Sequence, residues 1–226
     1  MEKVIISWSG GKDSALALNE IRKSNKYEIV SLLTTITEDY KRVSMHGFRE
    51  ELLEAQASSL DLPLTKIFIS KNTSNKQYEE NMKNTLSKLY KNGVLSVVFG
   101  DIFLEDLKKY REEKLAKVKM NALFPIWKRQ TSKLAQEFIS LGYKAILTCV
   151  DTKLLDGKFS GRSFDKQLIS NLPANIDACG ENGEFHSFVY DGPIFSKEIP
   201  FTKGEIVLRE QRFSFCDLLA NNHSSA

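Results

Sequence analysis

The chain has 226 residues, of which 42% are hydrophobic and 27% charged, and its formal net charge is +3 at pH 7. These values describe an ordinary globular protein with a sizeable core, and the slight charge, with lysines interleaved among glutamates, makes a nucleic-acid partner unlikely. No apolar run approaches the roughly 18 residues that span a bilayer, and no signal peptide precedes the first apolar stretch. The cysteines Cys149, Cys179 and Cys216 match no zinc or disulfide spacing. We therefore expect a cytoplasmic protein with no membrane contact.

A glycine-containing loop lies between an apolar run at residues 4–8 and a helical pattern that begins at Ala15. Paired glycines let several backbone amides face one anion, and the positive end of the following helix adds to the attraction. A lysine contributes a mobile ammonium, and serine hydroxyls can donate hydrogen bonds to phosphate oxygens. The sequence thus predicts a phosphate-binding loop made of Ser7, Ser9, Gly10, Gly11, Lys12, Asp13 and Ser14.

The spacing of this loop excludes two common phosphate-binding patterns. The P-loop needs glycine at the position of Ile6 and serine or threonine at the position of Asp13, and the dinucleotide pattern G-x-G-x-x-G is absent. The loop instead resembles the pyrophosphate loop, S-G-G-x-D-S, of the N-type ATP pyrophosphatases. This resemblance implies that ATP places its β and γ phosphates on the loop while a nucleophile attacks the α phosphate, which gives AMP and pyrophosphate. Mg²⁺ is expected with ATP, its ligands left open between Asp13 and Asp101.

Apolar runs alternate with amphipathic stretches along most of the chain. Further strands are predicted at residues 27–36, 64–69, 94–99 and 143–150. Helices are predicted at 14–23, 49–60, 75–91, 131–141 and 164–172, and another begins at about 104. An extended piece is predicted at 121–127. The alternation up to about residue 150 predicts an α/β fold with a doubly wound, mostly parallel sheet. Ligands bind at the carboxyl edge of such a sheet, so Thr34 and Thr35 are candidates for holding adenosine, and Gly100 and Asp101 lie at the same edge.

Three side chains on this edge allow more than one interpretation. Asp101 either binds a magnesium-held phosphate, orients the substrate, or caps the following helix. His46 either touches ATP or is a solvated or capping residue beside a helix start. Arg111 is interpreted as part of a surface pair of residues four apart on a helix.

A second informative stretch covers residues 179–189. Within eight residues, between Gly180 and His186, it contains two glycines, two carboxylates, an amide and an imidazole, and it leads into a strand of alternating residues. Asn182 and Gly183 form a good turn dipeptide, so a plain hairpin is the alternative. We interpret the stretch as a substrate or catalytic loop.

Both stretches together resemble, over nearly the whole chain, the diphthine–ammonia ligase family. The resemblance is carried by residues 9–14, 100–106, 124–127, 180–189 and 191–193. It implies an adenine nucleotide α-hydrolase-like (HUP class) fold, with an ATP-binding domain at 1–125 and a smaller substrate-binding domain at 126–220. Independently of the resemblance, we expect a disordered tail at 221–226. It also implies a ligase in which ATP activates a carboxylate as an acyl-adenylate and ammonia or an amine displaces AMP. In diphthamide synthesis that carboxylate belongs to a modified histidine on an elongation factor.

The resemblance assigns roles to individual residues. Glu181, Glu184 and His186 become candidates for binding or deprotonating the amine, and Lys12, Asp13 and Asp101 complete the catalytic set. The chain departs from the archaeal and eukaryotic ligases at Tyr78 to Asn81, at Gly100 to Arg111 and at Glu184 to Phe188, a pattern that resembles a bacterial branch. The acceptor, the amine donor and a homodimer stay open. A transfer-RNA-modifying enzyme of the same superfamily and a non-catalytic ATP sensor are the rival interpretations.

Overall fold

The computed structural model describes residues 1–221, so the predicted disordered tail lies, from residue 222 on, outside the described residues. Its strands are β1 (Glu2–Ser7), β2 (Tyr27–Thr37), β3 (Arg42–Val43), β4 (Leu64–Ile69), β5 (Val94–Val98), β6 (Asn121–Leu123), β7 (Lys144–Asp151), β8 (Phe185–Asp191), β9 (Phe201–Arg209) and β10 (Phe213–Ala220). Its α-helices are α1 (Lys12–Ser24), α2 (Glu50–Leu60), α3 (Asn75–Lys91), α4 (Glu105–Ala116), α5 (Thr131–Ser140) and α6 (Lys166–Asn171). Within residues 1–221, every helix is too short or too polar to cross a lipid bilayer.

The first sheet has the order β3-β2-β1-β5-β6, with β4 added beside β2. All its pairings are parallel except that of β2 with the two-residue strand β3. Val4, Ile5 and Ile6 of the central strand β1 are completely buried, because helices cover both faces of the sheet. The prediction of a mostly parallel α/β sheet is confirmed.

The second sheet is antiparallel, with the order β8-β7-β10-β9. The sequence prediction that β7 continues the parallel alternation is therefore wrong. β7 pairs antiparallel with β8 and β10, both of which come later in the chain. A strand that follows a helix can join either sheet, and here the later strands supply its hydrogen-bond partners.

The two sheets share one hydrophobic core beside α1. Trp8 and Leu16 belong to the same buried cluster as Phe185 and Phe188 of β8. The ring of Phe188 lies 4.8 Å from that of Phe48, centroid to centroid. The packing places the start of β8 directly against the loop that joins β1 to α1.

Strand β9 is an edge of the second sheet, paired with β10 alone among the described residues. Ile206 and Leu208 on this strand are 57% and 59% exposed. This edge lies at the opposite end of the sheet from β8.

Candidate functional site

The loop between β1 and α1 is packed so closely that two positions accept only glycine. Gly10 has φ +76°, and a Cβ on it would lie 2.5 Å from the ring of Phe48. A Cβ on Gly11 would lie 2.7 Å from Cε1 of His46. The two glycines let the loop turn tightly and bring its backbone to the surface of a cavity.

Backbone amides at the start of α1 are left available by this turn. The Gly11 amide donates to Oγ of Ser9 at 3.3 Å, and the Lys12 amide donates to Oγ of Ser187 at 3.2 Å. The backbone amides of Asp13 and Ser14 donate a hydrogen bond to no acceptor among residues 1–221. Unpaired amides at the positive end of a helix are the usual binding groups for a phosphate.

Lys12 and Asp13 form an ion pair beside the loop, with Nζ of Lys12 2.9 Å from Oδ2 of Asp13. The lysine is only 3% exposed. Burial lowers the pKa of Lys12, but the charge of Asp13, the hydrogen bond to it and the nearby Glu181 together raise it, so the net pKa is raised and the ammonium stays charged. Oδ1 of Asp13 is buried and makes no hydrogen bond within the described residues.

The loop before β8 is tied to the end of the first sheet by Glu181. Its carboxylate accepts a hydrogen bond from the Ile102 amide at 2.7 Å. Burial raises the pKa of Glu181 to about 7, and the negative charges of Asp13 and Asp101 add to the shift. Glu181 is therefore poised to exchange a proton near neutral pH.

Glu184 lies away from the cavities, inside the same loop. Its carboxylate accepts hydrogen bonds from the Asp177 amide and the Asn182 side chain, both at 3.0 Å. The residue is 3% exposed. Both bonds end on Oε1 and hold the loop in shape, while Oε2 is buried and has no hydrogen-bond partner within the described residues.

Two histidines meet at the cavity wall although they are 140 positions apart in the sequence. The rings of His46 and His186 have centroids 4.6 Å apart, and Nδ1 of His46 lies 2.9 Å from the carbonyl oxygen of Ser187. Burial lowers the pKa of His46 to about 4 and, with His46 and Lys12 nearby, lowers that of His186 well below its usual value. Both rings are thus neutral at pH 7. The capping alternative for His46 is wrong, because Arg49 occupies the N-cap position of α2.

Asp101 forms an ion pair with Arg111, whose Nε lies 2.9 Å from Oδ2 of the carboxylate. The angle is too poor for a hydrogen bond, so neither atom has such a partner within the described residues. The guanidinium of Arg111 also lies 4.3 Å from the ring centroid of Phe99. Two earlier interpretations are therefore wrong: Arg111 does not pair along its helix, and Asp101 does not cap α4, whose N-cap residue is Leu104.

Gly100 brings the end of β5 against the phosphate-binding loop. A Cβ on Gly100 would lie 2.7 Å from the carbonyl carbon of Asp13. The carboxylates of Asp13 and Asp101 consequently face the same small space.

Two cavities adjoin this arrangement, with volumes of about 230 and 760 Å³. They share Ser7, Ser9, Phe99 and Arg111 in their linings. The predicted residues at the smaller cavity are Ser7, Ser9, Lys12, Asp13, Ser14, His46, Gly100, Asp101, Glu181 and His186. Thr34 and Thr35 line the larger cavity, where the Thr34 hydroxyl donates to the Trp8 carbonyl at 2.6 Å. Gly10, Gly11 and Glu184 line neither.

Three residues of the site were missed by sequence reasoning. Ser187 accepts the Lys12 amide, Arg111 sits where the cavities meet, and Gln56 donates to the carbonyl oxygens of Gly10 and Val189 at 2.9 and 2.7 Å. Only Gln56 carried a signal, since it interrupts the apolar stripe of α2 and is completely buried.

The fold and this loop define an α/β protein with a pyrophosphate-type loop between its first strand and first helix. Residues 2–121 match the family model of the diphthamide synthase N-terminal domain, and residues 130–219 match the family model of the diphthamide synthase C-terminal domain. The chain belongs to the diphthamide synthase family, as the resemblance in its sequence predicted; the bacterial branch stays a prediction.

Several curated relatives are named diphthine–ammonia ligase. The Schizosaccharomyces pombe protein is 29% identical over 91% of this chain and 37% of its own length. The Bos taurus and Homo sapiens proteins are 32% and 31% identical over 46% of this chain and 41% and 42% of their own lengths. The chain thus spans well under half the length of these relatives.

A solved structure from Methanocaldococcus jannaschii, described as a predicted subunit of a tRNA methyltransferase, aligns with 69% of this chain and 81% of its own. The TM-score is 0.42 and the identity 16%. A likeness of this strength carries no argument about fold or function.

Proposed function

We propose that this chain is an ATP-dependent, AMP-forming ligase that activates a carboxylate and joins it to ammonia or an amine. The observation that carries the proposal is the loop at the start of α1, where the free amides of Asp13 and Ser14 stand beside the charged ammonium of Lys12. The names of the curated relatives support the same reaction class.

The smaller cavity would hold the triphosphate, with its β and γ phosphates on the loop. The Lys12 ammonium and the loop amides would stabilise the negative charge that pyrophosphate carries as it leaves. The adenosine would extend past Ser7 into the larger cavity, beside Thr34 and Thr35. Because the Thr34 hydroxyl is engaged by Trp8, recognition there would run through the backbone.

Asp13 and Asp101 fit a magnesium ion that arrives with ATP. Oδ1 of Asp13 is buried and has no hydrogen-bond partner within the described residues. Oδ2 of Asp101 also lacks a hydrogen bond, but it lies 2.9 Å from Nε of Arg111, a cation with which the magnesium ion would compete for this oxygen. Those residues contain no ready cluster of three or more metal-ligating side chains. Mg²⁺ keeps water and phosphate oxygens as most of its ligands, so one or two carboxylates are enough to hold it. When bound, the ion would offset charge on the phosphates.

The reaction would proceed in two balanced steps. A carboxylate oxygen of the acceptor attacks the α phosphorus, the bond to the β phosphate breaks, and pyrophosphate leaves. The amine nitrogen then attacks the acyl carbon, AMP leaves with the bonding electrons, and the nitrogen gives up a proton. The neutral ring of His186 and the ionised form of Glu181, both of which line the smaller cavity, are placed to accept that proton.

We further propose the division into an ATP-binding part at residues 1–125 and a substrate-binding part at 126–220. The second part would contribute Glu181, His186 and Ser187 to a site built mainly on the first. The predicted cytoplasmic location, the absence of a nucleic-acid partner and the homodimer stay predictions.

Product analysis tests the proposed reaction. The purified chain is incubated with Mg²⁺ and ATP alone, then with small carboxylates, amines and a cell extract, and AMP plus pyrophosphate is resolved from ADP plus phosphate. Extract-dependent AMP and pyrophosphate in equal amounts would support the ligase and provide an assay for its acceptor. ADP under every condition, or ATP held without hydrolysis, would overturn the proposal in favour of a kinase-like protein or a sensor. Production dependent on added transfer RNA would favour the RNA-modifying alternative.

A further inference from the structure

We propose that the acceptor is a carboxylic acid with an apolar body, bound in the part of the larger cavity that lies between the first sheet and helices α3 and α4. This inference rests on the proposed function, because the acceptor carboxylate must reach the α phosphate of ATP. It adds the chemical class of the acceptor and the place where it binds.

The larger cavity has room for more than adenosine. Its volume of about 760 Å³ lies in the upper part of the range of roughly 300–1,000 Å³ found for small-molecule sites. Adenosine is expected at the end formed by β1 and β2, at Ser7, Thr34 and Thr35. The remaining end, beneath α3 and α4, is therefore free for a second ligand.

Apolar side chains line that second end. Leu33 and Val97 form its floor on the sheet, Met82 and Leu86 of α3 form one wall, and Leu115 of α4 forms another. Leu33, Leu86, Val97 and Leu115 are at most 5% exposed and belong to the core cluster of this face of the sheet. Such a surface gains free energy by covering an apolar ligand and offers little to a polar one.

Positive charge surrounds the mouth of this cavity. Lys76, Lys83 and Lys117 line it, and none has a carboxylate within 4.0 Å among residues 1–221. Lys114, by contrast, is paired with Glu79. Glu79 and Glu80 line the cavity as well, but the lysines outnumber them, and the resulting excess of positive charge favours an anion over a cationic ligand.

Arg111 marks the point where the acceptor would meet ATP. It lines both cavities, and its guanidinium lies over Phe99, which also lines both. An acceptor carboxylate directed toward Arg111 from the apolar end would arrive beside the loop that holds the phosphates. The apolar body, the cationic mouth and this junction together define an amphiphilic acid.

Calorimetric titration measures binding of the acceptor without turnover, so it tests this inference independently of the proposed reaction. The full chain is saturated with Mg²⁺ and α,β-methylene-ATP, which cannot release pyrophosphate, and is titrated with hexanoate, octanoate, decanoate or 3-phenylpropanoate, and separately with octyltrimethylammonium. We expect at least one acid to bind and the cation not to bind. Binding of the cation alone, or of none of the five probes, would overturn the inference. Since no turnover is needed, the acids can bind even if the AMP assay contradicts the ligase.

Charge-reversal variants locate the site. The double variant K83E/K117E should weaken binding of the acid by about fivefold or more, because it replaces two attractions at the mouth by repulsions. The matched double variant K88E/K109E changes exposed lysines of α3 and α4 that do not line the cavity, and it should bind as the parent does. Equal weakening in both variants would mean that the acid binds elsewhere.

A cavity-filling variant provides a second, independent readout. Met82→Trp should abolish acid binding while binding of α,β-methylene-ATP changes by less than about twofold. Leu95→Trp, at a 43% exposed position outside the cavity, is the control for an added indole. Undiminished acid binding in a folded Met82→Trp protein would contradict the proposed location.

Discussion

The backbone amide of Lys12 donates a hydrogen bond to the hydroxyl of Ser187, a residue 175 positions further along the chain. Ser187 is 1% exposed, and its own carbonyl oxygen receives Nδ1 of His46. The phosphate-binding loop is thus held from outside by the first residues of β8. Its shape depends on a part of the chain that belongs to the other sheet.

The first prediction concerns this contact. Ser187→Ala should lower kcat/KM for AMP formation by about tenfold, because the Lys12 amide loses its acceptor and the loop loses its fixed geometry. The melting temperature should fall by only a few degrees, the cost of one buried amide without a partner. Ser170→Ala, which removes a hydroxyl bonded only within α6, is the control and should leave the rate unchanged. An equal loss of rate in both variants would show that the bond between Lys12 and Ser187 has no specific role in the reaction.

The second prediction tests Lys12 itself. Lys12→Ala should reduce AMP formation by about two to three orders of magnitude, since it removes the charge that faces the leaving pyrophosphate. Circular dichroism should show that the fold is kept. Lys23→Ala, an exposed change at the other end of α1, should have the parental rate. If Lys12→Ala kept the parental rate, the loop would take no part in the reaction.

The third prediction concerns Gln56, whose amide group joins three parts of the site. Besides its bonds to Gly10 and Val189, it accepts the indole N–H of Trp8 at 2.9 Å. Gln56→Leu should lower the free energy of unfolding by about 2–4 kcal/mol, because the indole N–H is left buried without a partner. Urea unfolding measures the change.

Gln77→Leu is the control for this variant, since Gln77 is exposed and its side chain bonds only to Asn81. Its free energy of unfolding should stay within about 0.5 kcal/mol of the parent. A Gln56→Leu protein as stable as this control would show that the three bonds add nothing net.

The fourth prediction is a pH dependence that arises from Glu181. Its pKa in the folded protein, about 7, lies above its ordinary value of 4.5, so the folded state binds the proton more tightly. The stabilisation this provides is full below pH 4.5 and is lost as the pH rises through about 7. Glu181→Gln keeps a neutral side chain at every pH and should not show this loss.

Urea unfolding at pH 5 and pH 7.5 checks this prediction. The parent should lose more stability between the two values than Glu181→Gln does. Glu113→Gln, an exposed change on α4, should behave as the parent. Identical pH profiles for all three proteins would mean that Glu181 titrates as it does in the unfolded chain.

The fifth prediction concerns the carboxylate that joins the two sheets. Asp217 of β10 receives Nη1 of Arg42 and Nη2 of Arg49, each at 2.8 Å. Burial raises the pKa of Asp217, but the two guanidinium groups outweigh it and bring the pKa to about 2. The resulting stabilisation is present above pH 3.8 and is lost as the pH falls toward 2.

Asp217→Asn should therefore cost about 1–2 kcal/mol at pH 7, allowing for solvent screening of a partly exposed group, and much less at pH 2.5. Asp156→Asn, which alters an exposed local pair with Lys158, is the control. Equal losses at the two pH values would indicate a packing effect instead of an ionic one.

Local patterns made the first half of the fold predictable. The signals lie next to one another in the sequence: the apolar run of β1, the glycines at 10 and 11, and the alanines and leucines of α1. Up to β7, the predicted ends of strands and helices agree with the observed ends within two residues, apart from the piece at 121–127. That piece ends as strand β6 at Leu123, because the chain turns at Pro125.

Long-range pairing explains what the sequence did not show. Strands β9 and β10 were not predicted, since in β9 no residue is fully buried and the alternation is weak. The contact of His46 with His186, and of Arg111 with Asp101, depends on how separate elements pack. No spacing within either segment carries that information.

The exposed edge of β9 has a consequence for handling the protein. The outer edge of this nine-residue strand, on which Ile206 and Leu208 are exposed, can be extended by a chain that offers a complementary backbone. Lys203, Glu205 and Arg209 interrupt the apolar surface, and charges at such positions oppose aggregation. Conditions that neutralise or screen these side chains will favour insoluble material before the core itself has melted. We therefore expect the solubility of the protein to depend on this edge, which lies at the opposite end of the sheet from β8.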